Sequence, residues 1–171
     1  MEFRLHHWEH REPDWAAAAV SGFAAGALLM VLELAWAALA GTNGPWRISQ
    51  LVAALTLGAG PLQVSPFTFD AWVVGMALVT HYLLGVAFGT VLGYFLAGFH
   101  YDVTVGPMVL IGAAFGLLLY LINFHALTGV FPWFIELRGW TTLAAHLAFG
   151  ISAAVLYWKL ARRTPEPQRG T

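Results

Sequence analysis

Apolar residues in this chain gather into four long runs, Ala16 to Ala40, Ala71 to Ala97, Gly106 to Thr128 and Trp140 to Leu160. Within those runs the only Asp, Glu, Lys or Arg residues are Glu33 and the terminal Lys159. Each run matches the ~20 residues that a helix needs to cross ~30 Å of hydrocarbon. A helix also satisfies its own backbone where no water is available. The pattern predicts an all-α integral membrane protein, a four-helix bundle whose transmembrane domain covers 16–161 with spans at about 16–40, 71–97, 106–128 and 140–160. A polar tail over 1–15 precedes it, and the Pro-rich "RRTPEPQRGT" over 162–171 reads as a disordered tail.

The stretches between the runs carry a second pattern. "WRISQLVAALTLG", from Trp46 to Gly58, has apolar residues at helical spacing while Arg47, Ser49 and Gln50 are free to meet water, which predicts a short interfacial helix in the first outer loop. "GPLQVSPF" then breaks the chain with two prolines before the second span. Trp133, Phe134 and Trp140 in the other outer loop fit the aromatic belt at a lipid–water boundary, and Glu136 and Arg138 read as surface charges there. Together the outer loops read as a lid.

Composition agrees with the runs: 59% of the 171 residues are hydrophobic and only 10% charged, far outside the usual soluble range. There is no cysteine, which removes disulfides, thiolate chemistry and cysteine-held iron–sulfur clusters. A formal net charge of −1 with no basic stripe argues against a nucleic-acid partner. Arg4 and Arg11 precede the first span, and Lys159, Arg162, Arg163 and Arg169 close the fourth, against Arg47 and Arg138 in the loops opposite. That asymmetry predicts both termini in the cytoplasm. The first run ends in an Ala-x-Ala-like triplet at Ala38 and Ala40, yet it is longer than a signal-peptide core and holds Glu33, so it reads as a true span.

Alternate spans run in opposite directions, so position along each converts into depth. At 1.5 Å per residue, Glu33, His81, Asn123 and His146 all fall about 8–15 Å below the outer surface. Helical offsets of four, seven and eleven return to nearly the same face. By those steps Glu33 shares a face with Gly26 and Gly22, and Asn123 with Gly116 and Gly112. His81 shares one with Gly85 and Gly89, and His146 with Gly150 and Ala154. Small-residue stripes are where membrane helices approach closely, so the polar layer should point inward. His125 falls some 200° round from Asn123 and joins this layer as an outer group only if the helix distorts there.

The matching offsets suggest a duplication, the first two spans forming one hairpin and the last two its copy. Pro45–Trp46 after the first span and Pro132–Trp133 after the third support it. An ionised carboxylate near mid-helix costs ~2.5–3.5 kcal/mol on insertion scales, so Glu33 must be protonated, paired or bound to a cation. Glu33, His81 and His146 form a two-histidine, one-carboxylate set suited to a transition metal (iron, copper or zinc), with Asn123 and His125 outside it. Alternatively the two histidines ligate a haem b, and Gly26, Gly85, Gly89, Gly116 and Gly150 make room for the ring. A Glu–His proton relay or small-ion site is the third option, and simple helix packing the fourth.

"HHWEH", with His6, His7 and His10, reads as a solvated tail, and "FHYDV", with His100, Tyr101 and Asp102, as an ordinary turn. Four spans give little room for alternating access, which points to a homo-oligomer or docking into a larger membrane complex. A Glu in the first span with HxxxG in the second and fourth, His81 to Gly85 and His146 to Gly150, resembles short four-helix inner-membrane proteins of bacteria, over Ala16 to Leu160. That resemblance implies a multi-pass inner-membrane location and no particular activity. The arrangement also resembles haem-binding membrane four-helix bundles, which commonly show more histidine ligands. The expected function is a metal- or haem-binding subunit associated with membrane electron transport, with a non-catalytic accessory subunit or a proton or ion conductor as the alternatives.

Overall fold

A computed structural model describes residues 12–40, 44–64, 66–98 and 105–161. The tails over 1–11 and 162–171, with His6, His7 and His10, and the turn holding His100, Tyr101 and Asp102 lie outside the described residues. The described chain is helical nearly throughout: α1 (Trp15–Ala40), α2 (Trp46–Leu57), α3 (Ala71–Gly98), α4 (Val105–Leu121) and α5 (Trp140–Leu160). Four spans, Trp15–Leu39, Ala71–Gly98, Gly106–Gly129 and Trp140–Leu160, are long and apolar enough to cross a membrane. The described residues are thus all-helical with no strand, and the four candidate spans begin and end within a residue or so of the apolar runs.

Two carboxylates outside the runs fix where helices begin. Asp14 Oδ1 accepts the Ala17 N–H at 3.0 Å, and Asp70 Oδ1 accepts the N–H groups of Trp72 at 2.8 Å and Val73 at 3.1 Å. The first N–H groups of a helix have no partner within it, and such a cap contributes about 1 kcal/mol. At the far end of the chain α4 does not stop cleanly. It widens into a π turn over Ile122–Ala126, then tightens into 3-10 turns over Leu127–Gly129 and Pro132–Leu137. Arg138 holds this distortion: its Nε donates to the Phe124 carbonyl at 2.5 Å and its Nη2 to Thr128 Oγ1 at 3.2 Å. A side chain read as a plain surface charge is therefore a brace on the irregular turn, holding one of its carbonyls and a threonine hydroxyl.

α1 packs against α3 on one side and α5 on another, α4 packs against α5, and α3 and α4 barely touch. The tight pairs are built on glycine. Gly22 lies against the backbone of Gly85 and Gly89, and Gly112 against the backbone of Gly150. In lipid there is no hydrophobic gain from pairing apolar helices, so close backbone approach and its van der Waals contact do the holding. Leu92, Leu96, Met108 and Tyr157 are buried below these contacts, toward the end where α1 begins and α5 finishes.

The opposite end, which carries the α1–α2–α3 and α4–α5 connections, is capped by a lid. Helix α2 forms where the periodicity predicted it, but its polar residues are not in water: Ser49 and Gln50 are each 3% exposed. The small side chains at Ser49, Ala53 and Ala54 let α2 lie close on α3, where Thr56 Oγ1 meets Thr80 Oγ1 at 3.1 Å. Arg47 at its start reaches across to Glu136, with Nη2 to Oε1 at 2.6 Å and Nε to Oε2 at 3.1 Å, and stacks on Phe67 at 4.3 Å. This forked pair clasps the two connections together. Because Glu136 is half in solvent, breaking it is expected to cost about 1 kcal/mol or less. The check is a double-mutant cycle with Arg47→Ala and Glu136→Ala, and amide exchange in α2 should quicken in each variant.

Candidate functional site

His81 and His146 reach the same region from different helices. His81, on α3, donates from Nε2 to the Gly26 carbonyl of α1 at 2.8 Å. His146, on α5, donates from Nδ1 to the Thr142 carbonyl one turn earlier at 2.9 Å, and its ring sits edge-on to Phe124 and Tyr120 at centroid distances of 5.2 and 6.2 Å. A carbonyl only accepts, so the bonded nitrogen of each neutral imidazole carries the hydrogen. His81 Nδ1 and His146 Nε2 are then left as lone-pair acceptors. Both side chains are buried, while Glu33 on α1 and Asn123 on the π turn are half-buried.

All four line one cavity of about 80 Å³. Its walls include Gly26, Gly85, Phe88 and Leu119, and its top is closed by Val52 and Leu55 of α2 and by Phe134 and Leu137 of the last 3-10 turn. That volume is room for several waters. Glu33 and Leu137 also border a larger cavity of about 660 Å³ at the lid end, lined by Arg47, Glu136, Arg138 and Thr142 among others. Glu33 thus stands between an internal polar chamber and a charged vestibule.

Glu33, His81, Asn123 and His146, which the helical spacing puts at one level, line this one cavity, and the details differ around them. The helix does distort at Asn123, yet the π turn leaves His125 exposed and edge-on to Tyr120 at 5.4 Å, outside the cavity. Phe134, read as part of an aromatic belt, is instead buried in the lid, because Pro132 starts a tight turn that folds it inward. Of the five glycines expected to make room for a cofactor, Gly26 and Gly85 line the cavity. Gly85, Gly89, Gly116 and Gly150 each abut the backbone of a neighbouring helix, so the space beside them is taken up by protein. The carbonyls of Gly26 and Thr142, which orient the histidines, carried no sequence signal beyond their helical spacing.

Among the described residues no three His, Asp or Glu side chains are grouped closely enough to hold a metal ion. One nitrogen of each imidazole is engaged by a carbonyl, of α1 for His81 and of its own helix for His146. No family model, curated protein or solved structure matches this chain. An acid, two imidazoles with free lone pairs and an amide around a chamber with room for several waters can accept, hold and return protons.

Proposed function

We propose that the chain is a small membrane subunit whose internal Glu–His–His–Asn chamber exchanges protons with water at the lid end through Glu33, in the service of membrane redox chemistry. The single observation that carries this reading is that Glu33 borders both the polar chamber and the vestibule. A carboxyl group at such a junction can take a proton from one side and give it to the other. Two imidazoles beside it supply further acceptors. A resident metal or haem b fits less well, because no ligand trio is grouped and a chamber of about 80 Å³ is below the ~150 Å³ that holds even benzene.

The helices are read as a bundle of two duplicated hairpins. Contacts match pair for pair in support of it: Gly22 meets Gly85 and Gly89 as Gly112 meets Gly150 and Ala154, and Gly26 meets His81 as Gly116 meets His146. In that scheme Glu33 and Asn123 are counterparts, one hairpin keeping the acid and the other its uncharged analogue. The distribution of Lys and Arg supports a cytoplasmic location for both termini, which puts the lid end outside a bacterial inner membrane. The size of the domain supports a place as an accessory subunit in a larger complex or a homo-oligomer.

Infrared titration of the protein in lipid tests the proton reading. A carboxyl C=O band should appear and vanish reversibly with pH, be absent in Glu33→Gln, and move its midpoint in His81→Gln and His146→Gln. A carboxyl titration that survives Glu33→Gln unchanged, or ignores both histidine variants, would contradict it.

A further inference from the structure

We propose that the cleft between α3 and α4 binds a prenylated quinone or quinol, with its chain along the cleft and one ring oxygen reaching the Glu–His chamber. This deepens the proton-exchange reading and rests on it, because a quinol is a membrane-soluble carrier of the protons such a chamber would handle.

The cleft is an open place in an otherwise tight molecule. If the hairpins are counterparts, the α3–α4 pair corresponds to the α1–α5 pair, yet α1 and α5 pack along their lengths while α3 and α4 scarcely touch. Between them runs a groove of about 510 Å³ walled by Phe88, Val91 and Phe95 of α3 and by Ala114, Phe115 and Leu119 of α4, among other apolar side chains. Lipid tails alone would satisfy such walls. The decisive feature is where the groove ends: Phe88 and Leu119 are shared with the polar chamber. The occupant best matched to a groove that adjoins the chamber across these two shared side chains is apolar along most of its length and carries a hydrogen-bonding atom at one tip.

Size and chemistry then select the head. A ring does not fit a chamber of about 80 Å³, so it lies in the groove beside Phe88 and Phe115, which offer aromatic contact. A single oxygen does fit. Asn123 can donate to a quinone carbonyl, and a neutral histidine's free lone pair can accept a quinol hydroxyl, so the chamber serves both redox forms. A phospholipid acyl chain ends in a methyl group and leaves all four polar side chains unanswered.

The test is equilibrium binding of decylubiquinone to the full chain in phosphatidylcholine nanodiscs, compared with empty discs. Ala114→Trp and Val91→Trp fill the groove from opposite walls at positions that face out of the protein, and Leu110→Trp, 72% exposed on α4 and off the groove wall, is the control. Saturable binding near one per chain, weakened about tenfold or more by each groove variant and unchanged in the control, is expected. Helical content by circular dichroism keeps a misfolded variant from counting as support. Partition that never saturates, or binding equal in all four proteins, overturns the proposal and leaves bulk lipid as the occupant. Saturable, groove-dependent binding in a protein whose carboxyl band does not depend on Glu33 would sink the proton reading alone. An intact Glu33 band without saturable binding would sink the quinone alone.

Discussion

Gly150→Ala should destabilise the protein by about 3 kcal/mol or more, at the upper end of what overpacking costs. A methyl group there has nowhere to go: it would run into the Gly112 carbonyl and lie 2.8 Å from the Gly116 nitrogen, and both are backbone atoms that cannot rotate away. Relief requires α4 and α5 to separate, and the chamber wall moves with them because His146 lies one turn away. Gly22→Ala should behave alike against Gly85 and Gly89. Gly26→Ala is the contrast, since its methyl group would find the nearest atoms at 3.5 and 3.9 Å, ordinary contact distances. It should change stability by less than about 1 kcal/mol. Thermal loss of tertiary structure in detergent, followed for the three variants side by side, checks the ranking. Equal effects at Gly22 and Gly26 would mean that α1 and α3 are not this close.

His81→Leu should cost more than His146→Leu in stability, while the two should be equally damaging to the Glu33 titration. The reason lies in what each imidazole leaves behind. His81 bonds across to the Gly26 carbonyl of another helix at 2.8 Å, so its loss removes a direct tie between α1 and α3, although the α1 ladder still serves that carbonyl. Hydrogen bonds between membrane helices average ~0.6 and reach ~1.7 kcal/mol, and about 1 kcal/mol is expected here. His146 bonds to the Thr142 carbonyl of its own helix, an acceptor that the α5 backbone ladder already serves. Removing it should cost only a few tenths of a kcal/mol beyond the change in packing. For proton exchange the two are alike, since each brings one free nitrogen to the chamber. His81→Gln should recover part of the lost stability, because the amide keeps a donor near Gly26. The measurement is unfolding free energy paired with the infrared midpoint, and a variant that changes both in proportion would reduce the histidines to packing.

Much of this architecture was legible before any coordinates. Four long apolar runs with almost no charge admit few alternatives to membrane helices, and the period of a helix puts Glu33, His81, Asn123 and His146 at a shared level and on faces with small residues. What the period could not supply was departure from the period. The π turn at Ile122–Ala126 departs from the α-helical course that follows α4, and nothing in "INFHA" announces that the Phe124 carbonyl will be taken up by Arg138. The lid was half legible for a related reason. The spacing in Trp46 to Leu57 indicated a helix, but whether its Ser49 and Gln50 face water or protein depends on Arg47 finding Glu136 across 89 residues of chain. Likewise the glycine stripes carried two readings, close helix approach and room for a ligand, and only the structure shows that another backbone occupies the room beside Gly85, Gly89, Gly116 and Gly150.

Glu33 and both buried imidazoles border one chamber. Nitrogen-15 spectra of histidine-labelled protein in lipid, with His81, His125 and His146 assigned by single substitution, test this directly. Glu33→Gln should move the ring resonances of His81 and His146 together and leave those of His125 in place. Resonances of His81 and His146 that do not respond to the change at Glu33 would contradict it.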